Sequence, residues 1–191
     1  MWNARFLTED ELDEAGFRHR GQNVLIHSTS VIVNAENMVL GDNIRVDPFC
    51  VLSASHTLRI GSHVHIASHC TLVGSEVIDL GDFVGISHGS KILSSTDDFK
   101  GACLTGPTIP HEFTNVLSWP VHIGRHVVVG ANCLVLPGSR IGEGTTIGAL
   151  SLVKGEVDEW ALYGGVPARR IGSRDREGVL DAEDRFKKRG G

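Results

Sequence analysis

From Ile123 onward an aliphatic residue returns at every sixth position: Ile123, Val129, Val135, Ile141, Ile147 and Val153. Glycine follows at once in four of these units (Gly124, Gly130, Gly142 and Gly148). A small or short residue stands four positions after the aliphatic, at Val127, Cys133, Ser139, Thr145 and Ser151. The first half repeats the phrase at a longer period. Leu40-Gly41-Asp42, Ile60-Gly61-Ser62 and Leu80-Gly81-Asp82 recur every 20 residues, each followed by aliphatics six and twelve positions on: Val46 and Leu52, Ile66 and Leu72, Ile86 and Ile92. A period of six fits neither a helix nor a two-faced strand. It fits three short strands per coil, with the aliphatic and the small residue turned inward and glycine easing the corner. The chain is therefore expected to be all-β, a triangular parallel β-helix whose coils bury one another. Cys50, Cys70, Ser90 and Cys133 take the same inward small position, so the three thiols are expected to be structural.

Three segments leave the register. Residues 7–17 carry Thr8 with Glu11 three positions later, a capping-box pattern that predicts a short helix. Residues 94–119 interrupt the repeat between Ile92 and Ile123, an excursion long enough to suggest function. Residues 173–191 are charged and predict a terminal helix or a loose tail. The expected organisation is an N-terminal helical cap over 1–21, a β-helix over 22–172 with the loop 94–119, and a C-terminal tail over 173–191.

Composition adds limits. A chain of 191 residues suits one domain, and its net charge of −5 argues against broad nucleic-acid binding. The exception is the local cluster Arg169, Arg170, Arg174 and Arg176, readable as a solvated tail or as a phosphate site. No apolar run approaches the ~18 residues of a membrane span, and the N-terminus lacks a secretory pattern. A cytoplasmic protein with no membrane span and no nucleic-acid partner is expected. The four cysteines show no CxxC spacing, so neither a metal site nor a disulfide framework is expected from them.

The run IGRHVVVGANCLVLPGSRIGEGTTIGALSLV followed by YGGVPARRIG resembles the acetyl-coenzyme A-binding half of hexapeptide-repeat acetyltransferases. The resemblance spans roughly residues 22–172. The segments SSTDDF, PTIP and FTNV resemble a subgroup found with bacterial surface-polysaccharide genes, nearest to acyltransferases of dTDP-4-amino-4,6-dideoxyglucose. It implies a left-handed β-helix, acetyl-coenzyme A as co-substrate with no metal, and a homotrimer with sites between subunits. It also implies N-acetylation of a nucleotide-linked aminosugar in lipopolysaccharide biosynthesis, with O-acetylation of a sugar or xenobiotic as the alternative. Motif by motif, Ala131, Ala149 and Lys154 fall at pantetheine-contact positions, and Arg169 falls where a basic residue meets the adenine-phosphate end.

The proton acceptor is less plain. Acyl transfer to an amine or alcohol needs a group to take a proton, and His is suited to it near neutrality. In galactoside-type relatives a His stands at the start of the loop; here that position is Asp97, followed by Asp98. Among the ten histidines, His65 precedes inward Ile66 and so points outward, with Asp47 diagonal to it one coil earlier; it is the expected base, with His69 and His88 as alternatives. A mechanism with no side-chain base also stays open. Asp97, Asp98 and Asp47 are expected to touch substrate; for the loop pair, assisting the proton transfer or capping the turn before Phe99 are the other readings. A zinc site of the γ-carbonic-anhydrase kind, built from His65, His69 and His88, and a noncatalytic scaffold are the rivals from other classes.

Overall fold

The computed structural model describes residues 5–189, so residues 1–4 of the expected cap and 190–191 of the expected tail lie outside it. Three parallel walls enclose one core. The first wall stacks His19–Arg20, Met38–Leu40, Leu58–Ile60, Ile78–Leu80, Val121–Ile123, Arg140–Ile141 and Glu156–Val157. The second runs from Val24–Ile26 through Ile44–Val46, His65–Ile66, Gly85–Ile86, Val128–Val129 and Thr146–Ile147 to Ala161–Gly164. The third runs from Val31–Val33 through Val51–Ala54, Thr71–Gly74, Lys91–Leu93 and Leu134–Val135 to Leu152–Val153.

Register follows the repeat residue for residue. Ile26, Val46, Ile66, Ile86, Val129 and Ile147 stack on the second wall, and Ile32, Leu52, Leu72, Ile92, Val135 and Val153 on the third. Leu80 pairs with Ile123 as though the intervening excursion were absent. The inward aliphatics from Leu40 to Val153 are buried, as are the small positions Val127, Cys133, Ser139, Thr145 and Ser151. Each such side chain contributes roughly 1.5–3 kcal/mol of transfer free energy where it is a full Val, Leu or Ile. The three thiols sit at 0–1% exposure, and their Sγ atoms donate to carbonyls of the next coil: Cys50 to Ala67, Cys70 to Ser87, Cys133 to Gly148. Burial pushes the Cys133 thiol pKa up, away from reactivity.

The corners are left-handed in backbone conformation even without glycine. Asn23, Asn43, His63, Phe83 and His126 form one column at φ 55 to 58, and Phe49, His69, Asn132 and Leu150 a second at φ 55 to 62. The cost of such a conformation, about 1–2 kcal/mol, is offset by a repeated hydrogen bond in which the corner N–H reaches the coil below. His63 donates to Asp42, Phe83 to Ser62, His126 to Asp82, and Asn132 to His88.

Both ends are covered. Thr8 and Glu11 form the expected capping box on helix α1 (Glu9–Glu14), which buries Leu12 in the core. The segment before it pairs with the lowest second-wall strand, Leu7 N–H donating to Ile26 O at 2.8 Å, so that edge is not left open. At the top, Arg169–Ser173 folds back antiparallel on Ala161–Gly164. The charged tail is then a helix, α2 (Arg176–Lys188), lying along the first corner column. Phe186 meets His63 and Phe83 edge-on, and the buried Glu183 bonds His126, Arg125 and Lys187.

Candidate active site

The excursion between Ile92 and Ile123 is a short antiparallel hairpin, Ser95–Asp97 on Val116–Ser118, closed by a turn at His111–Phe113. Trp119 N–H donates to Ser94 O at 3.0 Å and ties its base to the third wall. This hairpin presents the two loop carboxylates differently. Asp98 is buried and accepts the Lys100 N–H at 2.8 Å, so it caps the turn that follows. Asp97 is half-buried, and its carboxylate bonds no described residue. It lines two cavities, one of about 620 Å³ with His111, Thr114 and Val116, and one of about 350 Å³ with Leu117, Trp119, Leu136 and Lys154. A carboxylate without a protein partner between two cavities is available to a cationic ligand.

His65 stands as the coil geometry predicts, on the outer face of the second wall. Its Nε2 lies 2.8 Å from Asp47 Oδ2, and Arg45 Nε donates to Asp47 Oδ1 at 2.7 Å. Burial pushes the Asp47 carboxyl up, but the hydrogen bonds from His65 and Arg45 outweigh it and hold it below the usual range. Both oxygens of Asp47 are thus engaged in orienting its neighbours. His65 and Asp47 line neither cavity that Asp97 lines. Beside His65 the strand partner is Gly85, where an added Cβ would meet nothing, so the wall has a notch at that point.

The other histidines are placed by the corners. His69 stacks on Phe49 at 5.0 Å, and His88 Nδ1 lies 2.9 Å from Ser68 Oγ. Among the described residues no three His, Cys, Asp or Glu side chains converge as a metal site. Ser87, which no sequence motif singles out, sits half-buried at the corner between Gly85–Ile86 and Lys91–Leu93, and its hydroxyl bonds no described residue. Nothing in the repeat marks it, because it occupies an ordinary corner position.

The positions implied for coenzyme A fall in the upper coils. Ala131 and Ala149 immediately precede Asn132 and Leu150 of the second corner column, where Leu150 N–H bonds Ala131 O at 2.8 Å; Ala131 is half-buried and Ala149 exposed. Lys154 is exposed and lines the 350 Å³ cavity with Asp97. Arg169 is exposed and among the described residues its guanidinium bonds the Ala168 carbonyl alone, whereas Arg170 is paired with Asp158 at 3.4 Å. The Arg169 guanidinium is thus neutralised by no described carboxylate, and such a fork has the geometry that phosphate accepts.

Comparison with known proteins places this architecture. The bacterial transferase hexapeptide family, in its six-repeat form, matches residues 120–155. The chain is 36% identical, over 95% of both lengths, to dTDP-4-amino-4,6-dideoxy-D-glucose acyltransferase of Escherichia coli. It superposes on AntD, an N-acyltransferase from Bacillus cereus in complex with dTDP and 3-hydroxybutyryl-CoA, with a TM-score of 0.92 at 39% identity, covering 97% of this chain and 98% of that one. A serine-to-cysteine variant of AntD in complex with dTDP-4-amino-4,6-dideoxyglucose and coenzyme A gives a TM-score of 0.91 at 40% identity, covering 96% and 97%. With these relatives matching nearly end to end, the chain belongs to the left-handed β-helix, hexapeptide-repeat acyltransferases, in the family of the dTDP-4-amino-4,6-dideoxyglucose acyltransferase.

Proposed function

We propose that the protein transfers a short acyl group, acetyl being the one expected from the sequence, from a coenzyme A thioester to the amino group of a dTDP-linked 4-amino-4,6-dideoxyhexose. The observation that carries the reading at this site is the unbonded Asp97 carboxylate. A sugar amine is largely protonated near neutrality and cannot attack until it loses a proton. Asp97 attracts the ammonium and takes one proton; the amine nitrogen then attacks the thioester carbonyl and the C–N bond forms; as the C–S bond breaks, the second proton on that nitrogen passes to the leaving thiolate, and Asp97 releases the first to water. Asp98, by capping the turn, holds Asp97 towards the cavities.

Spacing supports the assignment. The solved AntD variants replace a serine and an aspartate ten positions apart, and Ser87 with Asp97 is the only Ser–Asp pair at that spacing in this sequence. Ser87 is accordingly proposed to bond the reacting group. Ala131, Ala149 and Lys154 are proposed to contact pantetheine, and Arg169 the adenine-phosphate end.

A second reading puts the base at His65, and the bond to Asp47 supports it, since that carboxylate fixes the ring and stabilises its protonated form. In a homotrimer, which we also propose, the His65 wall would face a neighbouring loop. The exposed Leu25, Val31, Val33 and Phe49 on the lower coils support such packing. Among the described residues no helix is long and apolar enough to cross a membrane; a cytoplasmic place in lipopolysaccharide biosynthesis completes the proposal.

The test measures thiol release with dTDP-4-amino-4,6-dideoxyglucose. Asp97→Asn is expected to lower kcat by roughly 10²–10⁴-fold. If Asp97→Asn keeps its turnover while His65→Ala loses it, the base moves to His65; if both keep it, no side-chain base is used.

A further inference from the structure

We infer that the 350 Å³ cavity beside Asp97 is an acyl-chain pocket, and that it selects short acyl groups longer than acetyl. The inference rests on the function proposed above, because it takes Asp97 to mark where the thioester carbonyl is attacked. Asp97 and Lys154 line the same cavity, so the proton acceptor and a residue assigned to the donor meet in one place. Whatever is bonded to that carbonyl must extend along the remaining lining.

Apolar side chains make up most of that lining, beside Thr96, Asp98 and Lys100. Leu117 and Trp119 come from the hairpin, and Leu136 and Pro137 from the third wall. The sequence breaks its own rule to supply the last two: in four units the repeat's aliphatic is followed by glycine, whereas Val135 is followed by Leu136-Pro137. The next residue, Gly138, is at φ +79, where glycine is favoured, and the position lies in van der Waals reach of Trp119 Cβ, so the indole packs beside this corner. Trp119 nonetheless remains 48% exposed, and Phe99 at the mouth 88%. An acetyl methyl would leave most of this apolar surface uncovered; a longer chain would cover it.

The volume agrees. It lies at the lower end of small-ligand pockets, about 300–1,000 Å³, which is ample for an acyl chain and too small for the dTDP-sugar as a whole. Because a buried methylene in a hydrophobic pocket is worth roughly 10-fold or more in kcat/KM, selection should be visible in a donor series.

The experiment compares acetyl-, propionyl-, butyryl- and hexanoyl-coenzyme A as donors to dTDP-4-amino-4,6-dideoxyglucose, using the full-length protein. Propionyl or butyryl is expected to exceed acetyl by roughly 10-fold in kcat/KM. Leu136→Phe should cut the butyryl-to-acetyl ratio by about 10-fold, and Leu136→Ala should move the optimum to a longer chain. The ratio is taken on one sample, so partial loss of folded protein cancels. A wild type that favours acetyl, or a ratio that neither Leu136 variant moves, overturns the pocket, as would happen if a neighbouring copy fills it, and leaves the proposed function intact. No thiol release with any donor overturns the proposed function and the pocket with it.

Discussion

Asp97 and Asp98 are adjacent and chemically alike, yet the fold gives them different work. A single backbone hydrogen bond from Lys100 N–H converts Asp98 into a turn cap, while Asp97 keeps its carboxylate open. Asp98→Asn preserves an oxygen that can accept the turn bond and should leave the acceptor KM near its original value. Asp98→Ala removes it and should raise that KM, because the turn presenting Asp97 loosens. Steady-state kinetics on the two variants check this, and equal KM values for both would leave Asp98 no positioning role. The His65–Asp47 pair was legible in the sequence, because a coil of fixed length places residues 18 apart in sequence side by side in space. That the pair shares no cavity with Asp97 in one chain was not legible, since cavities depend on how the hairpin folds over the wall.

At the level of elements, the corners carry the stability of the solenoid. An added Cβ at Gly130 would lie 2.5 Å from Ala149 N and 2.7 Å from Ile147 O, both backbone atoms of the next coil that cannot swing aside. Gly130→Ala should therefore destabilise the protein by about 1–3 kcal/mol, read as a lower denaturant midpoint. An unchanged midpoint would mean that the coils can spread apart at no cost.

The docking of α2 rests on Glu183. A hydrogen bond from Lys187 first, then one from His126 and the nearby charge of Arg125, overcome burial and hold its carboxyl down to about 2. Its folded pKa is below the ordinary value of about 4.3. The stabilisation is therefore complete above that value and is lost as pH falls towards about 2. Glu183→Gln should cost about 1–2 kcal/mol at neutral pH, discounted because Arg125 is partly and Lys187 largely exposed. It should also flatten the acid limb of stability between pH 5 and pH 2, as acid titration followed by circular dichroism would show. An acid limb identical to that of the wild type would remove Glu183 from the docking.

For the whole molecule, the proposed assembly is a homotrimer. Light scattering at low micromolar concentration should give three times the 20.6 kDa chain mass. A monomeric mass with full activity would refute sites shared between subunits.

Length, period and glycine placement determined the solenoid by themselves. A six-residue repeat is a local rule, and a parallel stack applies it identically in every coil, so wall membership, inward residues, buried thiols and the capping box of α1 could all be read directly. Tertiary structure alone decided what breaks the repeat. The pairing of Ser95–Asp97 with Val116–Ser118, the apolar cavity under Trp119, and the seat of α2 on the His63–Phe83–His126 column join segments distant in sequence that share no period. Their positions follow from three-dimensional packing of side chains, which no local pattern encodes.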